Sequence, residues 1–88
     1  MKDTLLFLVG SIVDHPDDVV VVESADSDRT MLRLTTNPED MGRVIGKAGR
    51  IIRAIRDLIK LIAAKRGVYA DVELVENDKS TNDKSTNE

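Results

Sequence analysis

The chain has 88 residues, a net charge of −3, one tyrosine, one phenylalanine, and no tryptophan or cysteine. This length allows one small domain. The missing cysteines exclude disulfides, thiolate metal sites and cysteine nucleophiles, and the scarcity of aromatics argues against a base-stacking platform.

No stretch approaches the ~20 apolar residues of a membrane span. The start, Met1-Lys2-Asp3-Thr4-Leu5, carries an acid where a secretory signal needs basic charge, and no small-residue cleavage site follows. A small secreted domain usually needs disulfide staples, so the expected compartment is the reducing cytoplasm.

Taken in order, Asp3 or Thr4 is placed to cap a first helix with Leu5, Leu8, Val9, Ile12 and Val13 on one stripe. Pro16 bars it from running past Asp14-His15. Val19 to Val22 is short, β-branched and bounded by acids, the pattern of a strand. Ser24 to Asp28 has turn chemistry, and Thr30 to Thr35 is a second strand antiparallel to the first. Asn37-Pro38-Glu39-Asp40 then combines a capping side chain, a proline at the first helical position and acids in the first turn. The helix it opens is short, with Met41, Val44 and Ile45 apolar before Gly46.

A long helix is predicted from Arg50 to Arg66, stopped by Gly67. Ile51, Ile52, Ile55, Leu58, Ile59 and Ile62 share its wide apolar face, and Arg50, Arg53, Arg56 and Lys60 lie opposite. Val68, Ala70, Val72 and Leu74 alternate with polar residues as a last, half-buried strand. Residues 77–88 repeat the unit Asn-Asp-Lys-Ser-Thr without one apolar side chain, so a disordered tail is expected after a folded domain of residues 1–76. The element order is α-β-β-α-α-β. A right-handed crossover sets the second and third strands parallel and adjacent, giving a three-stranded α+β sheet with three helices on one face.

The charge is unevenly placed. Residues 1–41 hold three basic and nine acidic side chains, whereas residues 42–66 hold eight basic ones against Asp57 alone. A basic block on an acidic protein suits a confined anion site, although a solvated helix face has the same composition. Within this block, Gly46-Lys47-Ala48-Gly49 joins two helical patterns. Glycines allow a positive φ and close approach of another backbone, so the turn can present main-chain N–H groups and Lys47 to a phosphodiester. The run Gly42 to Lys47 is not a nucleotide-binding P-loop. It has three residues between its glycines instead of four, and Ala48 stands where Ser or Thr would bind magnesium.

The element order and the segment Val44-Ile45-Gly46-x-x-Gly49-x-x-Ile52 resemble a type II KH domain. With Asp14-His15-Pro16, Asn37-Pro38-Glu39-Asp40 and a compact length, residues 1–76 are similar to the small stand-alone bacterial KH proteins of the KhpA (YlqC-like) family. The resemblance implies single-stranded RNA binding without catalysis or cofactor. It implies a clamp of Gly46, Lys47, Ala48 and Gly49 and a groove lined by Ile45 and Ile52. The local basic block adds Arg43 and Arg50 as phosphate contacts, with Arg53 as a further RNA-binding candidate. The resemblance also implies an RNA chaperone or post-transcriptional role in cell elongation and division, as a homodimer or with a larger Jag-type (EloR, KhpB) partner.

The alternative is an interaction module in which RNA binding is secondary. Ala54, Leu58 and Leu61 flank the apolar face of the long helix as a candidate dimer contact. His15, the only histidine, has no paired base or cysteine, and no metal site is expected. Asp17, Asp18, Asp26 and Asp28 lack the glycine and terminal glutamate of a calcium loop.

Overall fold

The computed structural model describes residues 1–75, so the repeated tail lies outside the described residues. Its elements are α1 (Lys2–Gly10), β1 (Val20–Asp26), β2 (Arg29–Thr35), α2 (Met41–Ile45), α3 (Arg50–Lys65) and β3 (Tyr69–Leu74), with short 3-10 turns at Pro16–Asp18, Pro38–Asp40 and Lys47–Gly49. The α-β-β-α-α-β order is the expected one.

The sheet runs β1-β2-β3. β1 and β2 are antiparallel from Val20↔Thr35 to Asp26↔Arg29. β2 and β3 are parallel from Arg29↔Tyr69 to Leu34↔Leu74, as a helical crossover requires. Strand alternation sends Val21, Leu32, Leu34, Ala70 and Val72 to one face, where they meet Leu5 and Val9 of α1, Val44 of α2 and Ile55, Ile59 and Ala63 of α3. Val20 and Val22 point the other way and are exposed. All three helices therefore cover one face of the sheet.

Several local boundaries differ from expectation. α1 begins at Lys2 with Met1 as its cap residue and no side-chain cap, and it ends at Gly10. Backbone bonds from Ser11 to Phe7 and from Ile12 to Val9 close its last turn, leaving Ile12 outside the helix and exposed. The Ser24–Asp28 turn shrinks to Ser27-Asp28, and β1 continues to Asp26. Pairing with β2 overrides the loop-like composition of Ser24-Ala25-Asp26, and Ser27 makes the reversal at a φ of +57°. On α3 the buried line is Ile55, Ile59 and Ala63. Ile51 and Leu58 are exposed, so the packed face is narrower than the apolar one.

Asn37 and Pro38 act as expected. The Asn37 side chain accepts the Glu39 N–H at 2.8 Å, and Pro38 opens the turn leading into α2.

Candidate nucleic-acid interface

α2 ends at Gly46, whose N–H donates to the Gly42 carbonyl at 2.9 Å. Gly46 adopts φ +78°, ψ 174°, a region that side chains essentially exclude. A Cβ there would also lie 2.6 Å from Cγ1 of Ile51. Lys47 to Gly49 then make one tight turn, closed by the Gly49 N–H on the Gly46 carbonyl at 3.1 Å. Ala48 sits at φ +56°. Gly49 is left-handed at φ +72°, ψ 18° and begins α3, but a Cβ on it would meet only Nη2 of Arg53, at 3.7 Å. The two glycines thus serve different needs. Gly46 must lack a side chain because Ile51 packs against it, whereas Gly49 must only turn the chain.

Lys47 and Arg50 are exposed, and among the described residues neither has an acidic side chain within ion-pair distance. Arg53 has a structural role: its Nη2 donates to the Ala48 carbonyl at 3.2 Å, fastening the turn to the helix behind it. Arg43 pairs with Asp14 at 3.2 Å, with both side chains largely exposed.

Beside the turn, a cleft of about 390 Å³ runs between α3 and the outer strand β3, with Ile52, Arg56, Met31, Asp71 and Leu74 in its wall. Ile52, one turn into α3, joins the turn to the cleft. Ile45 is exposed at the end of α2 and is not in the wall. Arg56 donates to both Asp71 oxygens at 3.0 Å. This fork holds the Asp71 carboxyl below the usual carboxylate range, against the opposing effect of burial. Sequence periodicity had set Arg56 on the solvent side of α3 and had not singled out Asp71. The only available signal was that Asp71 is an acid at a polar position of β3.

The Asp14-His15-Pro16 and Asn37-Pro38-Glu39-Asp40 segments meet. Asp40, 1% exposed, accepts the backbone N–H groups of Asp14 and His15 at 3.0 Å each. Asn37 donates to Asp18 at 2.9 Å. His15 Nε2 lies 3.0 Å from Glu39, and this hydrogen bond raises the His15 pKa. These contacts fasten the α1–β1 connection to the start of α2, which carries the glycine turn. Among the described residues no group of acids and histidine is arranged to hold a metal ion, and no helix is long and apolar enough to cross a membrane.

A family model described as the KH domain of KhpA/KhpB matches residues 2–74, a span that takes in the glycine turn and every strand of the sheet. The chain belongs to the KhpA/KhpB KH-domain family. The protein named RNA-binding protein KhpA in Listeria monocytogenes is 40% identical over 76 residues, covering 86% of this chain and all of that one. Proteins of the same name are 47% identical over 72 residues in Leifsonia xyli, covering 82% of this chain and 95% of that one, and 45% identical over 75 residues in Clostridium acetobutylicum, covering 85% and 100%.

On this KH frame, the remaining residues singled out from the sequence fall in one row of α3. Ala54 is exposed, Leu58 is 41% exposed and Leu61 67%. With Ile51 they form a line at spacings of three and four, on one side of the helix. Phe7 of α1, off the apolar stripe expected from the sequence, is 72% exposed.

Proposed function

We propose that this protein binds single-stranded RNA through the Gly46–Gly49 turn and the adjoining cleft, without catalysis. The observation that carries the reading is the turn itself. It opens α3 with its backbone exposed, with Lys47 and Arg50 beside it, neither paired with an acid among the described residues, and with an apolar wall at Ile52 within one helical turn. Backbone N–H groups at a helix start and flanking cations are suited to phosphates, and the cleft offers apolar surface to bases. Lys47 and Arg50 supply the phosphate contacts. Arg43 adds one after exchanging Asp14 for the nucleic acid, and Arg53 holds the turn in shape. The relatives' shared name agrees with this reading.

The test is the double variant Lys47→Asp, Ala48→Asp. Aspartate tolerates the left-handed conformation of Ala48 better than most residues, so the change reverses charge with little backbone strain. Binding to a fluorescent single-stranded oligonucleotide, followed by anisotropy, should be lost while the thermal midpoint stays nearly unchanged. Affinity equal to that of the wild type would refute the assignment.

A second function is favoured by the line Ile51, Ala54, Leu58 and Leu61. A row of apolar side chains left uncovered along a long helix is suited to pairing with a second copy, or with the KH domain of a larger Jag-type partner. Ala54, Leu58 and Leu61 do not line the cleft. A pair of clamps on one particle would bind RNA more tightly than one alone, which fits the proposed chaperone or regulatory role in elongation and division, in the cytoplasm.

A further inference from the structure

Among the described residues, β1 lies at the margin of the sheet and pairs only with β2. The carbonyls of Asp28, just before β2, and of Leu34 within it face the β3 side, accepting from Tyr69 and from Val75, just after β3. By alternation, Arg29, Met31, Arg33 and Thr35 turn theirs to β1. Their partners are Asp26, Ser24, Val22 and Val20, so Val21, Glu23 and Ala25 direct their N–H and C=O groups outward. Among the described residues no hydrogen bond reaches these groups.

Natural sheets blunt such a margin with charged side chains, lysine above all, or with proline, a bulge or a short strand. β1 has no lysine, proline or bulge and is seven residues long, Val-Val-Val-Glu-Ser-Ala-Asp, with a continuous register, so its only charges are the acids Glu23 and Asp26. Val20 and Val22 stand exposed beside the margin, 51% and 56%. The β3 margin is different, because it borders the cleft and is crossed by Arg56 and Lys60 reaching Asp71.

Charge selects the occupant. Asp17 and Asp18 precede β1, Glu23 and Asp26 lie within it and Asp28 follows, and among the described residues none has a basic group within 4.0 Å. A second copy of β1 added antiparallel about Val22 would set Asp18 against Asp26 at both ends, and one centred on Glu23 would set Glu23 against Glu23. Like charges directly opposed across strands repel, so these two registers are disfavoured; a register centred on Val21 opposes no like charges but leaves Glu23 and Asp26 without a basic partner. A basic strand reverses the sign of every one of these pairs.

We propose that the free margin of β1 docks an extended basic segment of a partner protein, which adds to the sheet as a fourth strand. Its alternate side chains would be lysine or arginine beside Glu23 and β-branched apolar residues beside Val20 and Val22. The site is separate from the RNA clamp and does not depend on it.

The probe is a capped peptide of alternating valine and lysine, seven residues long like β1, added to the full chain labelled for amide NMR. Saturating peptide should slow hydrogen exchange at Val21, Glu23 and Ala25 by at least about tenfold, the signature of new ladder bonds. Glu23→Lys, which leaves the backbone unaltered, should weaken binding roughly threefold to tenfold while oligonucleotide affinity is retained. N-methylation of one alternate set of peptide nitrogens should abolish binding, and methylation of the other set should be tolerated. Lack of binding at ~1 mM peptide, binding without protection of these three amides, or indifference to which set is methylated would each overturn the proposal. Protection that grows with protein concentration in the absence of peptide would overturn it too, by making a second copy the occupant.

Discussion

The two glycines of the turn before α3 make different demands on their side of the chain. Gly46 combines a glycine-only backbone region with a packed Ile51 where its Cβ would be, whereas Gly49 needs only left-handed geometry in open space. Gly49→Ala should therefore cost about 1 kcal/mol. Gly46→Ala, which must displace Ile51 as well, should cost about 3 kcal/mol or more. Urea denaturation of the two variants checks this, and equal losses would contradict the geometry. Asp71 gives a second prediction. Its pKa is lowered in the folded state, so its contribution to stability is present above the ordinary carboxylate value of about 3.9 and is lost as pH falls through that value toward the lowered one. Asp71→Asn should destabilise the protein by about 1 kcal/mol at neutral pH, since Arg56 remains partly hydrated. The variant should lose less than the wild type on acidification, as read by unfolding midpoints from about pH 6 down to about pH 3.

Among the elements, α3 has the most surface to account for. It packs Ile55, Ile59 and Ala63 inward and leaves Leu58 and Leu61 to solvent. Leu61→Arg should convert a dimer to a monomer in light scattering at micromolar concentration without lowering the thermal midpoint of the monomer. An unchanged molar mass would remove this row from the interface. The same helix shows what was readable in the sequence. Its span, its apolar side and the glycine turn before it follow from residue spacing, because 3.6-residue periodicity and left-handed glycines act locally. The narrower buried line does not, because which isoleucines are covered depends on where the sheet and α1 lie. Likewise Asn37 announced its cap in sequence, whereas β1 outran its valines into Ser24-Ala25-Asp26 because β2 offered ladder partners. The fork from Arg56 to Asp71 joins residues 15 apart in sequence, and periodicity carries no information about such a pair.

At the scale of the molecule, charge is unevenly spread, although Arg43 of the basic block reaches Asp14 of the acidic half. β1 and its flanking turns carry acids, and the turn before α3 carries free cations. Nucleic acid should accordingly engage one restricted surface. The three phosphate contacts proposed for Lys47, Arg50 and Arg43 predict that log affinity falls with log salt at a slope of about −2 for a single strand. A salt titration by anisotropy measures it. A flat response would exclude phosphate contact, and a slope several times steeper would mean that the basic side chains act as a diffuse patch.

The crossover from β2 to β3 bears on how the molecule assembles. The β1–β2 hairpin closes across two turn residues, and α3 can form within its own sixteen residues. β3 can join β2 only after the whole helical connection has been drawn back along the sheet. Closing so long a segment costs chain entropy before it gains any contact, so the parallel edge should be the last part of the sheet to form. The cleft is bounded by that edge. An unfinished chain, or one that has frayed from the β3 side, would keep the glycine turn and its cations yet lack the outer wall of the cleft.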